Sequence, residues 1–115
     1  MRLLIIDDYR PFRASLRMLL EPSWQVEEAA SALEALSLLQ RDSAFDLVLV
    51  DQRLPSVTGL ELCDQMVTRH PALQGRMVLM SGGGLERAQW QDAERAAVPV
   101  LEKPFDAEAL RRVRL

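Results

Sequence analysis

Four short, unbroken apolar runs constrain this chain more than any other feature: Leu3-Leu4-Ile5-Ile6, Leu47-Val48-Leu49-Val50, Met77-Val78-Leu79-Met80 and Val98-Pro99-Val100-Leu101. None alternates apolar with polar residues. Continuous runs of this length fit strands covered on both faces, and such strands belong to parallel sheets. A weaker fifth strand is predicted at Trp24-Gln25-Val26-Glu27-Glu28, where alternation marks a sheet edge. Pro99 marks the last run as an edge as well, because proline removes a ladder donor.

Helical patterns fill the gaps. The first covers residues 11–20, with Phe12, Leu16, Leu19 and Leu20 on one face and Pro11 at a favoured first position. The second covers 31–41 and opens with Ser31 and Glu34 at capping-box spacing. The third opens in the same way at Thr58 and Glu61, and turns Leu60, Cys63, Met66 and Val67 inward. The fourth, 85–97, is alanine-rich and weakly amphipathic. The fifth begins at Asp106 as N-cap, with Glu108 in its first turn and Arg111, Arg112 and Arg114 near its end, a charge order that complements the helix dipole. Strand and helix repeated five times in 115 residues predict one domain, residues 1–115, built as an α/β sheet with helices on both faces.

Composition excludes several classes. With 49% hydrophobic and 27% charged residues the chain reads as globular rather than as a disordered tail. Fourteen basic against 17 acidic residues leave a net charge of −3, so nothing points to nucleic-acid binding. Cys63 is the single cysteine, which rules out an intrachain disulfide and a multi-thiolate zinc site; on the inward stripe of the third helix it reads as a core thiol. No apolar run approaches a membrane span, and no signal peptide precedes the first strand. The reading is a cytoplasmic domain without membrane contact. Of the 14 basic residues, all but Lys103 are arginine.

In open sheets of this kind, ligands bind beyond the carboxyl ends of the strands. The first strand leads into Asp7-Asp8, the third into Asp51, the fourth into Ser81 and Gly82-Gly83-Gly84, and the last into Glu102-Lys103-Pro104-Phe105. Three carboxylates, one ammonium and one hydroxyl therefore converge on one rim. Crowded carboxylates raise one another's pKa. A hard cation such as Mg²⁺ relieves the crowding with oxygen ligands from one or two acids and water. Lys103 adds a compact fixed charge, and Gly82 leaves its backbone N–H open to an anion. The set suits a metal plus a phosphoryl group.

These residues carry a resemblance. Ile6-Asp7-Asp8, the run from Asp46 to Asp51 with Leu54-Pro55 and Gly59 after it, Ser81-Gly82 and Lys103-Pro104-Phe105 stand in order at the ends of successive strands. In this the chain resembles, over nearly its whole length, the CheY-like receiver domains of two-component response regulators. The resemblance implies a flavodoxin-like (βα)5 fold, a doubly wound five-stranded parallel sheet in the order 2-1-3-4-5. It implies that Asp51 is the phosphoacceptor, forming an acyl phosphate by nucleophilic attack. Asp8 would ligate Mg²⁺ directly, Asp7 through water, and the Arg53 carbonyl would be a further ligand beside Asp51. Lys103 would pair with one phosphoryl oxygen and the Ser81 hydroxyl with another, while the backbone N–H groups of Gln52 and Gly82 hold the group. The Lys103–Pro104 bond would be cis. The implied partners are a sensor histidine kinase or a histidine phosphotransfer domain, with room for an output domain outside this chain and for a homodimer.

Some residues depart from the pattern or stand outside it. Val100, three before Lys103, occupies the position where the family carries an aromatic switch residue. His70, before Pro71, reads as a surface-loop residue. Trp90, at the border of the fourth helical stripe, is expected to pack. Three rival functions stand beside the phosphoacceptor reading, of which a flavin-binding protein of similar topology is disfavoured by three acids where a phosphate would sit. An aspartyl-phosphate phosphatase of the haloacid-dehalogenase type would want a second acid two residues after the nucleophile, where Arg53 stands. Three acids and Lys103 argue against a receiver-fold interaction module that is never phosphorylated, and the missing aromatic at Val100 keeps that alternative open. The reading is therefore a phosphoacceptor signalling domain rather than an enzyme.

Overall fold

The computed structural model describes residues 1–113. Strands and helices alternate: β1 (Arg2–Ile6), α1 (Arg10–Leu20), β2 (Gln25–Ala29), α2 (Ala32–Arg41), β3 (Leu47–Asp51), α3 (Gly59–Arg69), β4 (Met77–Ser81), α4 (Arg87–Arg95), β5 (Val100–Glu102) and α5 (Ala107–Val113). A 3-10 turn, Pro71–Leu73, leads from α3 towards β4. All five strands are parallel in one sheet, in the order β2-β1-β3-β4-β5. This is the doubly wound flavodoxin-like arrangement, with the two weakest strands at the edges. Arg114, placed by the sequence near the end of the last helix, lies outside the described residues.

Period two along each strand sends alternate residues to opposite faces of the sheet. Leu4, Ile6, Val48, Val50 and Leu79 meet Ala35 and Leu39 of α2 and Leu62 and Met66 of α3. Leu3, Ile5, Leu47, Leu49, Val78 and Met80 meet Leu16 and Leu20 of α1 and Leu110 of α5. Two apolar layers thus clamp the sheet and fix the ends of its strands.

The helix starts obey the caps. Ser31 Oγ accepts from the Glu34 N–H at 3.1 Å. Thr58 and Glu61 close a reciprocal capping box at the start of α3. Elsewhere the local reading needs correction. β5 spans Val100–Glu102 rather than 98–101, because Ala97 takes a left-handed backbone (φ 56°) and the strand pairs only from Val100, opposite Leu79. α4 is shorter than 85–97: Gly83 and Gly84 have positive φ, and the box between Glu86 and Gln89 sets its start. Leu62, absent from the predicted stripe of α3, is fully buried, whereas Leu60 and Val67 are half-buried. Leu19 is largely exposed, since Leu16 and Leu20, one turn apart, fill the inward stripe of α1. Trp90 does not pack as expected and is 42% exposed. Only Ala93 of α4 is buried, so that helix has no apolar stripe for the indole to join.

Candidate functional site

Parallel pairing of Ile6 with Val50 brings the residues after them, Asp7 and Asp51, to the same rim. Pairing of Ser81 with Glu102 brings Lys103 beside them, and the Lys103 N–H donates to the Ser81 carbonyl at 2.7 Å. Asp7 is completely buried, Asp51 is buried and Asp8 is exposed. Lys103 Nζ donates to Asp7 Oδ2 at 2.6 Å and to Asp51 Oδ1 at 3.3 Å. The other Asp7 oxygen accepts from the Tyr9 N–H at 2.9 Å. The Arg13 guanidinium donates to the Asp7 carbonyl at 2.7 Å and to Glu28 at 2.9 Å, which ties the acidic loop to α1 and β2.

One carboxylate oxygen from each of Asp7, Asp8 and Asp51 lies within 4.8 Å of the other two. Burial, and then the charge of Asp7, push the Asp51 carboxyl above its ordinary value; Lys103 and the Arg53 N–H offset this in part. Three acids share one ammonium, so the cluster keeps an excess of negative charge. An all-oxygen donor set, one member open to solvent, fits a hard divalent cation such as Mg²⁺.

At the end of β4, Ser81 is buried and its Oγ accepts from the Gly83 N–H at 3.1 Å, which leaves the hydroxyl hydrogen free to donate. A cavity opens here between Gln52, Arg53 and Thr58 and the glycine loop after β4. Nothing lies within 4 Å of where a Gly82 Cβ would stand. The Lys103–Pro104 bond is cis, as the resemblance implies, and so is Glu21–Pro22.

Gln52 departs from its expected role. Its N–H donates to the Met80 carbonyl at 2.9 Å, continuing the β3–β4 ladder past the strand end. Its side-chain Oε1 accepts from the Leu60 N–H at 3.1 Å. Gln52 therefore locks β3 to β4 and α3, and its backbone N–H is already committed to the ladder. The next backbone N–H, that of Arg53, is the one that favours the charged form of the Asp51 carboxyl.

Gly59 supports Asp51 from behind. A Cβ there would stand 2.5 Å from the Asp51 carbonyl oxygen, 2.6 Å from Leu79 Cδ1 and 2.9 Å from Gln52 Cα. Two of these are backbone atoms that cannot yield cheaply. Gly59→Ala is expected to lower stability by about 1–3 kcal/mol, read as an earlier urea midpoint at unchanged slope. A neutral result would mean that α3 slides freely away from β3.

Other residues fall outside the site. His70 ends α3, its N–H donating to Met66 at 2.8 Å. Burial pushes the Cys63 thiol up to about 12, which makes it an inert core group. Val100 is half-buried against the layer that holds Leu79, with no aromatic at that position.

A doubly wound sheet with this strand order, carrying acids at the ends of β1 and β3 and a lysine after β5, defines an α/β domain of the CheY type. The family model of the response regulator receiver domain matches residues 3–113, and the chain belongs to that family. It is 32% identical over 117 residues to the virulence sensor protein BvgS of Bordetella pertussis, covering 97% of this chain and 10% of that protein. It is 35% identical over 111 residues to the response regulator MprA of Mycobacterium leprae, covering 96% and 47%. A response regulator protein from Burkholderia pseudomallei, solved with a phosphorylated aspartic acid, calcium ion and citrate, matches with a TM-score of 0.85 at 25% identity, over 99% of this chain and 66% of that one. The chain thus spans from a tenth to about half the length of these curated relatives. Among the described residues, no helix is long and apolar enough to cross a membrane.

Proposed function

We propose that Asp51 accepts a phosphoryl group from a phosphohistidine of a sensor kinase or phosphotransfer protein, in the cytoplasm, and that the modified surface controls a partner or an output domain. The observation that carries this reading is the position of Lys103 Nζ, shared between Asp7 and Asp51 within a cluster of three acids. An Asp51 carboxylate oxygen forms the new bond to phosphorus as the donor's P–N bond breaks, and the departing imidazole nitrogen takes up a proton. Lys103 passes from the Asp51 oxygen to an oxygen on phosphorus. The Ser81 hydroxyl donates to a second oxygen, and the Arg53 and Gly82 amides donate to the group as well. Asp8, Asp51 and the Arg53 carbonyl would hold Mg²⁺ directly, with Asp7 through water. Bound there, the ion supplies positive charge that lets a carboxylate and a phosphoryl group approach each other.

The test uses phosphoramidate as a small donor and intact mass as the readout. The chain is expected to gain one phosphoryl group with Mg²⁺ and none with a chelator. Mg²⁺ alone is expected to raise the thermal midpoint of the wild type, and to raise it much less in Asp8→Asn. A folded chain indifferent to both reagents would end the reading. Val100 favours a narrower second reading, an interaction module of receiver fold that is never phosphorylated; it predicts no mass gain in the same assay.

A further inference from the structure

Lys103 has a third partner besides its two acids. Its Nζ lies 4.3 Å from the centroid of the Phe12 ring. That ring is braced by Phe105, 6.2 Å away in an edge-to-face arrangement at 74°. Phe12 comes from the first turn of α1, while Phe105 stands two residues after Lys103. The segment that carries the ammonium thus also carries the brace for the ring that attracts it. The face of a phenyl ring is electron-rich and attracts a cation, the more so when the cation is sheltered from water; the Lys103 side chain is only 19% exposed.

We propose that Phe12 is a positioning residue for phosphoryl acceptance, holding the Lys103 ammonium at the acceptor while its carboxylate partners change. The inference rests on the phosphoacceptor reading above. During acceptance Asp51 gives up a carboxylate charge as its oxygen bonds to phosphorus, and Asp7 takes part in holding the metal. Of the three partners described for Lys103, only the ring is unaltered throughout. A lysine has a long flexible stem, and without the ring the ammonium leaves the acceptor more often in the interval between partners.

Lys103 is the only lysine in the chain, so lysine labelled at Cε gives a single side-chain resonance. In the full chain the Lys103 ε-methylene is expected to be shifted upfield by the ring, to lose that shift in Phe12→Leu and to regain it in Phe12→Trp. Phosphorylation by phosphoramidate with Mg²⁺ is expected to slow by about three- to tenfold in Phe12→Leu and to recover in Phe12→Trp. A small donor is used because it has no need of the α1 surface for docking. An unshifted wild-type resonance overturns the inference without any variant having to fold. A folded Phe12→Leu that reacts at the wild-type rate overturns it too, and does so while leaving the phosphoacceptor reading intact. A wild type that takes up no phosphoryl group removes both.

Discussion

Asp51→Asn is expected to fold and to take up no phosphoryl group from phosphoramidate and Mg²⁺, while the wild type gains one by intact mass. The amide keeps the shape of the side chain but is not a nucleophile towards phosphorus. The same variant has a stability signature with a definite sign. Burial and the Asp7 charge hold the folded Asp51 carboxyl above its ordinary value. The folded chain therefore binds a proton there more tightly than the unfolded chain does. That contribution is complete at low pH and is lost as pH rises through the raised value, so ionised Asp51 weakens the fold at neutrality. Without divalent cations at pH 7, Asp51→Asn is expected to melt above the wild type, and the margin to close as pH falls towards the ordinary aspartate range. Phosphoryl uptake at another residue in the variant would displace Asp51 from its role. A variant that melts below the wild type at pH 7 would mean that Lys103 more than compensates the acid.

Lys103→Met is expected to produce the second large effect, on stability and reactivity together. Lys103 is the cation that Asp7 and Asp51 share. Removing one partner of a buried ion pair leaves the other charge uncompensated, at a cost of about 3–5 kcal/mol. Acceptance from a small donor should also fall by roughly 10²-fold or more, the usual penalty for deleting one preorganised electrostatic contact to a reacting group. Mg²⁺ should then raise the urea midpoint of the variant by more than it raises that of the wild type, because the acids it meets have lost their ammonium. Wild-type stability and uptake rate in Lys103→Met would show that the lysine is a bystander. Lys103→Arg is not expected to substitute fully, since a planar fork does not reproduce a compact ammonium.

The rim of the site was legible in the sequence because each of its residues follows an apolar run directly. Asp7, Asp51 and Ser81 needed no knowledge of register to be placed at strand ends; parallel pairing did the rest. The sheet's edges were legible as well, from alternation in one run and proline in another. What could not be read depends on hydrogen bonds or packing between distant segments. The Gln52 amide looks as available as its neighbour's until the ladder to Met80 is seen. Leu62 and Leu60 are equally apolar, and only the angle at which α3 lies on the sheet decides which one enters the core. Trp90 was expected to pack because it is large and apolar, but the helix around it is too polar to be drawn inward. The ring of Phe12 above Lys103 joins opposite ends of the chain, and no local pattern announces it.

The hydrogen bond between Ser81 Oγ and the Gly83 amide joins two neighbourhoods through one oxygen. The hydroxyl stands at the buried end of β4 and is tethered to the glycine turn that follows it. Under the proposed function, any motion of Ser81 towards a phosphoryl group on Asp51 would either stretch that tether or draw the turn along with it. The serine that ends β4 thus doubles as a leash on the loop that leads into α4.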